Sequence, residues 1–215
     1  MTDTSARRPL KSRATSWAQG LALLLLKMRA TPNAVSVFSL VFALAAATLI
    51  LSTSCCPQGT WLWLIAAVFI QLRLLCNLMD GMLAVEGGLG TADGDLYNEM
   101  PDRLADVALL AATGYASSHP QGVLLGWIAA CGALLTAYIR MHGATLTKHH
   151  DFRGPLAKPQ RMAILTGLCL LMPIASHLGH PDRLHFWTLL VLVVGIWLTV
   201  ALRLIHLSRT LRAKS

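Results

Sequence analysis

Long apolar runs decide what this chain can fold into. Stretches near 34–53, 60–84, 101–117, 121–142, 160–177 and 184–206 approach or exceed the ~20 residues that carry a helix across a bilayer core. Lipid offers no partner to backbone amides and carbonyls, so such runs must be helical. The fold predicted is all-α, with six transmembrane helices. Ser16–Arg29 is too short to cross. Trp17, Leu21, Leu24, Leu25 and Met28 recur at helical spacing, which predicts an interfacial amphipathic helix ahead of the first span. Thr31-Pro32-Asn33 breaks that helix and caps the next.

Only 13% of the residues are charged, against about 25% in an ordinary soluble domain. The whole chain, 1–215, reads as one domain: a basic tail and amphipathic helix over 1–30, then a membrane bundle over 34–206. The net charge of +8 does not point to nucleic acid, because no basic stripe with interleaved aromatics lies outside the spans. It points to anionic membrane lipid. Arg7, Arg8, Lys11, Arg13, Lys27 and Arg29 precede the first span. Arg140, Lys148, Arg153, Lys158 and Arg161 lie between spans four and five, and Arg203, Arg209, Arg212 and Lys214 lie at the end. Positive-inside then places both termini and the 86–100 connection in the cytoplasm. An Ala- and Leu-rich, Lys-poor composition suggests a bacterial inner membrane. No cleavable signal peptide is expected, since Leu21–Leu26 is flanked by Lys27 and Arg29 without a small-residue cleavage site. The five cysteines show no metal-binding spacing; Cys55-Cys56 falls in a loop and reads as having no role, and the others read as packing residues.

Seven of the ten acidic residues fall between 80 and 106: Asp80, Glu86, Asp93, Asp95, Glu99, Asp102 and Asp106. A carboxylate in or near a membrane persists when it faces a polar cavity, a cation or a metal. Asn77, Asp80, Gly81 and Ala84 share one helix face, and Asp102 and Asp106 share another. If these faces meet, the oxygens suit a hard divalent ion, Mg²⁺ or Mn²⁺. Asp93, Asp95 and Glu86 read as caps and loop residues. His142, His149 and His150 read as a surface loop.

Asn77-Leu-Met-Asp80-Gly81-Met-Leu-Ala84, followed by Asp102-Arg-Leu-Ala-Asp106, resembles the signature of the CDP-alcohol phosphotransferase family, Asp-x2-Asp-Gly-x2-Ala-Arg and then Gly-x3-Asp-x3-Asp. Thr31-Pro32-Asn33-Ala-Val-Ser36 and Tyr138-Ile-Arg140 also resemble family segments. The chain departs from the signature at Asn77 and Val85. Two registers are open for the second half. One uses Asp102 and Asp106, with Asn98 in the glycine's place. The other uses Gly94, Asn98 and Asp102. The first is preferred, because it leaves more carboxylates and because Pro101 predicts that the helix starts near Asn98.

The resemblance implies transfer of a phosphatidyl group from a CDP-linked lipid, CDP-diacylglycerol or another CDP-alcohol, to an alcohol acceptor with release of CMP. It implies that Asn77, Asp80 and Asp102 hold metal, two ions in all. Asp80, Gly81 and Ala84 would line the nucleotide site, and Asp106 would accept the proton of the attacking hydroxyl. Arg140, Arg153, Lys158 and Arg161 would bind a phosphate on the acceptor. Relatives are commonly dimers, so a homodimer is a further expectation. The alternatives are a degenerate CDP-lipid-binding relative, which Asn77 and Val85 motivate, and a small transporter. The transporter ranks last because the acids gather at one membrane face rather than at the midplane.

Overall fold

The computed structural model describes residues 15–56 and 59–213. The basic segment with Arg7, Arg8, Lys11 and Arg13, and Lys214 at the other end, lie outside the described residues. Those described form seven helices and no strand. They are α1 (Ser16–Lys27), α2 (Pro32–Ser52), α3 (Thr60–Val85), α4 (Gly94–Tyr115), α5 (Gly122–Thr147), α6 (Lys158–His177) and α7 (Pro181–Arg212). Of these, α2, α3, α5 and α7 are long and apolar enough to cross a membrane. The chain is an integral membrane protein. Helices α4 and α6 lie where spans were expected but carry more charge: α4 alone holds Asp95, Glu99, Asp102, Arg103 and Asp106.

Local chemistry sets the helix ends. The Thr31 hydroxyl accepts from the Ala34 amide at 3.3 Å, and Pro32 occupies the first turn of α2. Gly88 ends the turn after α3 at φ 66°, a left-handed conformation that glycine adopts without a Cβ penalty. The start of α4 differs from expectation. It begins at Gly94, not near Asn98, and Pro101 lies inside it. Pro101 cannot donate to the Tyr97 carbonyl. Tyr97 is exposed, so the residue that loses this bond lies outside the packed core.

Helix α2 packs on both α3 and α4, α3 on α6, α4 on α5, and α7 on α5 and α6. The core is rich in small residues, among them Ala43, Ala46, Ala66, Ala105, Ala129 and Ala133. Small side chains let helices approach closely where no water is available to drive burial. Bulky residues such as Phe38, Val41, Val68, Val191 and Val194 point outward, as lipid contact requires. Helix α1 docks on α3 through its alanines, Ala18 and Ala22, against Met79, Met82 and Leu83. Trp17, Leu24 and Met28 stay exposed.

The tightest crossing is α4 on α5. A Cβ added at Gly126 would lie 2.7 Å from the Gly114 Cα and 2.9 Å from the Leu110 carbonyl oxygen. Both are backbone atoms, so the helices would have to separate. Gly126→Ala is expected to cost about 1–3 kcal/mol by overpacking. The check is the thermal unfolding midpoint in detergent, and an unchanged midpoint would count against this crossing.

Candidate functional site

Six helices, α2 to α7, wall a cavity of about 630 Å³ at the end of the bundle where α3 and α4 are joined. The volume is in the range of small-molecule sites. Along their backbones α3 and α4 hardly touch. They meet through polar side chains, with α2 supporting both.

The deepest layer is an ion triad. Asp106 is 1% exposed. Its Oδ1 accepts from Arg73 Nη2 at 2.9 Å, and its Oδ2 accepts from Arg161 Nη2 at 2.6 Å. Arg161 also donates through Nη1 to the Thr136 hydroxyl at 3.2 Å and to the Leu156 carbonyl at 3.1 Å. Asp106 does not line the cavity.

One turn nearer the opening sits Asp102. Its Oδ1 accepts from Asn77 Nδ2 at 3.0 Å, with Arg73 Nη2 at 3.5 Å. Its Oδ2 accepts from the Lys158 ammonium. The Asn77 carbonyl oxygen is turned the other way and accepts from the Ser39 hydroxyl at 2.7 Å. Asp80, on the same face of α3, accepts from the Ser36 hydroxyl at 2.6 Å and is 4% exposed. Of Asp80, Asp102 and Asp106, only Asp80 has no ion pair. Gly81 and Ala84 complete this wall, with Val85 beside them.

Toward the opening, Glu99 joins Arg140 and, at 3.4 Å, Arg103. Phe152 lies 5.9 Å from the Arg140 guanidinium. His150, read from sequence as a loop residue, lines the cavity as well. The 148–157 segment that brings these groups and Lys158 to the site is tied to α7. Arg203 Nε donates to the Arg153 carbonyl at 2.8 Å, its Nη1 donates to the Thr136 carbonyl at 2.7 Å, and the Leu156 amide donates to the Thr199 hydroxyl at 3.0 Å. On the opposite rim Asn33 donates to the Thr91 hydroxyl at 3.3 Å. That hydroxyl, beside Asp93, holds the exposed Asp93 carboxyl below its ordinary range.

The structure therefore brings Asn77, Asp80, Gly81, Ala84, Asp102, Arg140, Lys158 and Arg161 to one cavity. Two expected residues fall outside it. Asp106 is locked beneath the floor. Arg153 is exposed, facing His206 at 2.9 Å and Asp151 at 3.8 Å. Lys158 and Arg161 are held by Asp102 and Asp106, so neither stands open to an acceptor as a free cation. Arg73 and Ser39 were missed from sequence, and Ser36 was noted only within the 31–36 segment, without a role. Arg73 carried a signal, since an arginine midway along an apolar run requires a buried counter-charge.

A match to the family model for CDP-alcohol phosphatidyltransferase covers residues 29–205. The chain belongs to the CDP-alcohol phosphatidyltransferase family. It is 27% identical over 200 residues to the phosphatidylinositol phosphate synthase of Corynebacterium glutamicum, covering 90% of this chain and 85% of that one. The fold is that of the phosphatidylinositol phosphate synthase of Mycobacterium tuberculosis. Its structure with CDP-DAG bound has a TM-score of 0.73 at 20% identity, over 90% of this chain and 94% of that one. Its complex with manganese and citrate has a TM-score of 0.72 at 20% identity, over 88% of each chain. Membership makes this chain a transferase of phospholipid biosynthesis, moving a phosphatidyl group from a CDP-linked donor to an alcohol. The manganese complex supports a divalent metal in this chemistry.

The residues present offer such an ion a carboxylate at Asp80. Among the described residues no three of His, Cys, Asp and Glu gather to hold a metal. Asp80 is a buried carboxylate without a cation, and Mg²⁺ characteristically takes one or two carboxylates and completes its shell with substrate phosphates. Between positions 77 and 102 the donor set is unsuitable. Asn77 turns an N–H to Asp102, and Lys158 holds the other Asp102 oxygen.

Proposed function

We propose that this chain transfers the phosphatidyl group of CDP-diacylglycerol to a phosphorylated polyol such as inositol phosphate, releasing CMP. One observation carries the donor assignment. The polar cavity shares Asn77, Lys158 and Pro159 with an apolar groove of about 790 Å³ running along α3 and α6, lined by Leu64, Val68, Leu72 and Leu170 and by Trp17 of α1. A polar pocket opening sideways into an apolar groove suits a molecule with a charged head and acyl tails. The relatives' names supply the donor and the acceptor class.

In this reading the second signature register applies, with Gly94, Asn98 and Asp102. All three line the cavity, and Asp106 does not. Gly81 and Ala84, free of bulk, admit the nucleotide. Asp80 would hold the single divalent ion, Mg²⁺ or Mn²⁺, whose chemistry is to neutralise diphosphate charge. Asp102 takes the proton of the attacking hydroxyl as that oxygen bonds to the phosphatidyl phosphorus and the CMP oxygen leaves. Arg140 and Arg103, fixed by Glu99, meet the acceptor's phosphate. The bundle 34–206 forms one domain of six spans, with α4 and α6 crossing inside it and α1 at the interface. The basic 140–161 stretch faces the cytoplasm of a bacterial inner membrane, and both termini lie on that side. A homodimer remains part of the proposal by kinship alone.

The test is CMP release by purified protein from CDP-diacylglycerol with Mg²⁺ or Mn²⁺ and a panel of glycerol 3-phosphate, inositol, inositol phosphate and serine. Release that depends on inositol phosphate supports the reading, and release with serine alone overturns the acceptor class. A second reading, a CDP-lipid-binding relative with weak turnover, is favoured by Asn77, Asn98 and Val85. It predicts donor binding without CMP under every acceptor, and gain of turnover on Asn77→Asp with Val85→Arg.

A further inference from the structure

We infer that the Lys158 ammonium serves as one of the two cations of the diphosphate site, so that the site takes a single divalent ion, at Asp80. The inference deepens the proposed function and rests on it.

Three observations converge on the Asn77–Asp102 edge of the cavity. First, Asn77 has one orientation compatible with its neighbours. Turning its oxygen to Asp102 would set two acceptors face to face, and turning its N–H to Asp102 makes the 3.0 Å bond observed. The amide is thus fixed with its oxygen toward Ser39 and its N–H, not an oxygen, toward Asp102. Second, Lys158 bonds Asp102 directly, from the first residue of α6. It is placed there by backbone, because Pro159 occupies the first turn of the helix and the preceding loop is tied to α7 through Thr199 and Arg203. Third, Lys158 and Asn77 line the polar cavity and the apolar groove alike. The ammonium therefore sits at the junction of head and tails, where the diphosphate of a bound CDP-lipid must lie. A lysine is a compact point charge with three donors. It can donate to Asp102 on one side and to a phosphate oxygen on another. Asp80 makes no direct ion pair with the ammonium, which bonds Asp102, and keeps its need for a cation.

The experiment counts ions and reads nucleotide affinity, independently of turnover. Purified wild-type protein is titrated with Mn²⁺ in saturating CDP, with free Mn²⁺ followed by electron paramagnetic resonance. One tight ion per chain is expected, and two for the Asn77→Asp, Lys158→Ala double variant. Lys158→Ala alone should weaken CDP binding about tenfold or more, as loss of a charge-assisted contact does, and Lys158→Arg should restore most of it. A melting curve checks that each variant is folded; in Lys158→Ala, Asp102 retains Arg73 and Asn77. Any wild-type count other than one overturns the inference, as does CDP affinity indifferent to Lys158→Ala. If CDP fails to bind wild-type protein under any condition, the proposed function fails first and takes the inference with it.

Discussion

Asp106→Asn is expected to unfold this protein more than it impairs the chemistry of whatever stays folded. The substitution leaves Arg73 and Arg161 buried beside a neutral amide, with Arg73 fully inaccessible and Arg161 1% exposed. Breaking a buried pair from one side costs about 3–5 kcal/mol, because an uncompensated charge remains. Arg73 already leaves Nε and Nη1 without partners, and its other carboxylate, Asp102, stands no closer than 3.5 Å. Asp102→Asn should behave in the opposite way. Asp102 lies in the cavity, and its replacement removes the proton acceptor and the partner of Lys158. Its melting temperature should stay near wild type while CMP release falls about 10²–10⁴-fold, the usual contribution of a positioned base. Melting in detergent, paired with CMP release normalised to folded protein, reads both. If Asp106→Asn melts like wild type yet is inactive, the catalytic carboxylate is Asp106 and the first register is the right one.

The same two residues show how far sequence carries. Apolar run lengths located all the long helices, because lipid leaves the backbone no other choice. The acid cluster pointed to the cavity, because carboxylates at a membrane face need a reason to be there. The register could not be read, for a physical reason. Asn98, Asp102 and Asp106 are spaced four apart on one helix face, so periodicity treats them alike. What separates them is depth, and depth depends on partners from other helices: Arg73 from α3 and Arg161 from α6 for Asp106, Lys158 for Asp102. Pro101 misled for a related reason. Its cost falls on the Tyr97 carbonyl, and whether that carbonyl is buried or exposed is set by tertiary packing. Arg73 was the overlooked clue. A lone arginine in the middle of 60–84 already implied a buried carboxylate partner, and Asp106 was the acid furthest inside its own helix.

Arg140→Ala is expected to raise KM for a phosphorylated acceptor about 10–150-fold, with little change in kcat, while an unphosphorylated alcohol of the same skeleton shows no change. The magnitude follows from losing a hydrogen bond to a charged group, about 1.5–3 kcal/mol. The kinetic split follows from where the contact acts, on a part of the acceptor remote from the reacting hydroxyl and equally in ground and transition states. Arg140 suits the role because it is already ordered. Glu99 holds one edge of its guanidinium and Phe152 lies against it, so little side-chain freedom is lost when a phosphate arrives. Arg140→Lys should recover only part of the affinity, since an ammonium lacks the planar fork with which a guanidinium can hold Glu99 through one nitrogen and meet a phosphate through the others. Glu99→Gln should give a smaller rise in KM than Arg140→Ala, because it loosens the guanidinium without removing it. Steady-state kinetics with inositol phosphate and inositol as a matched pair reads all three. An equal loss with both acceptors would mean that Arg140 only shapes the wall, and the acceptor's phosphate would then have to meet Arg103 on the other side of Glu99.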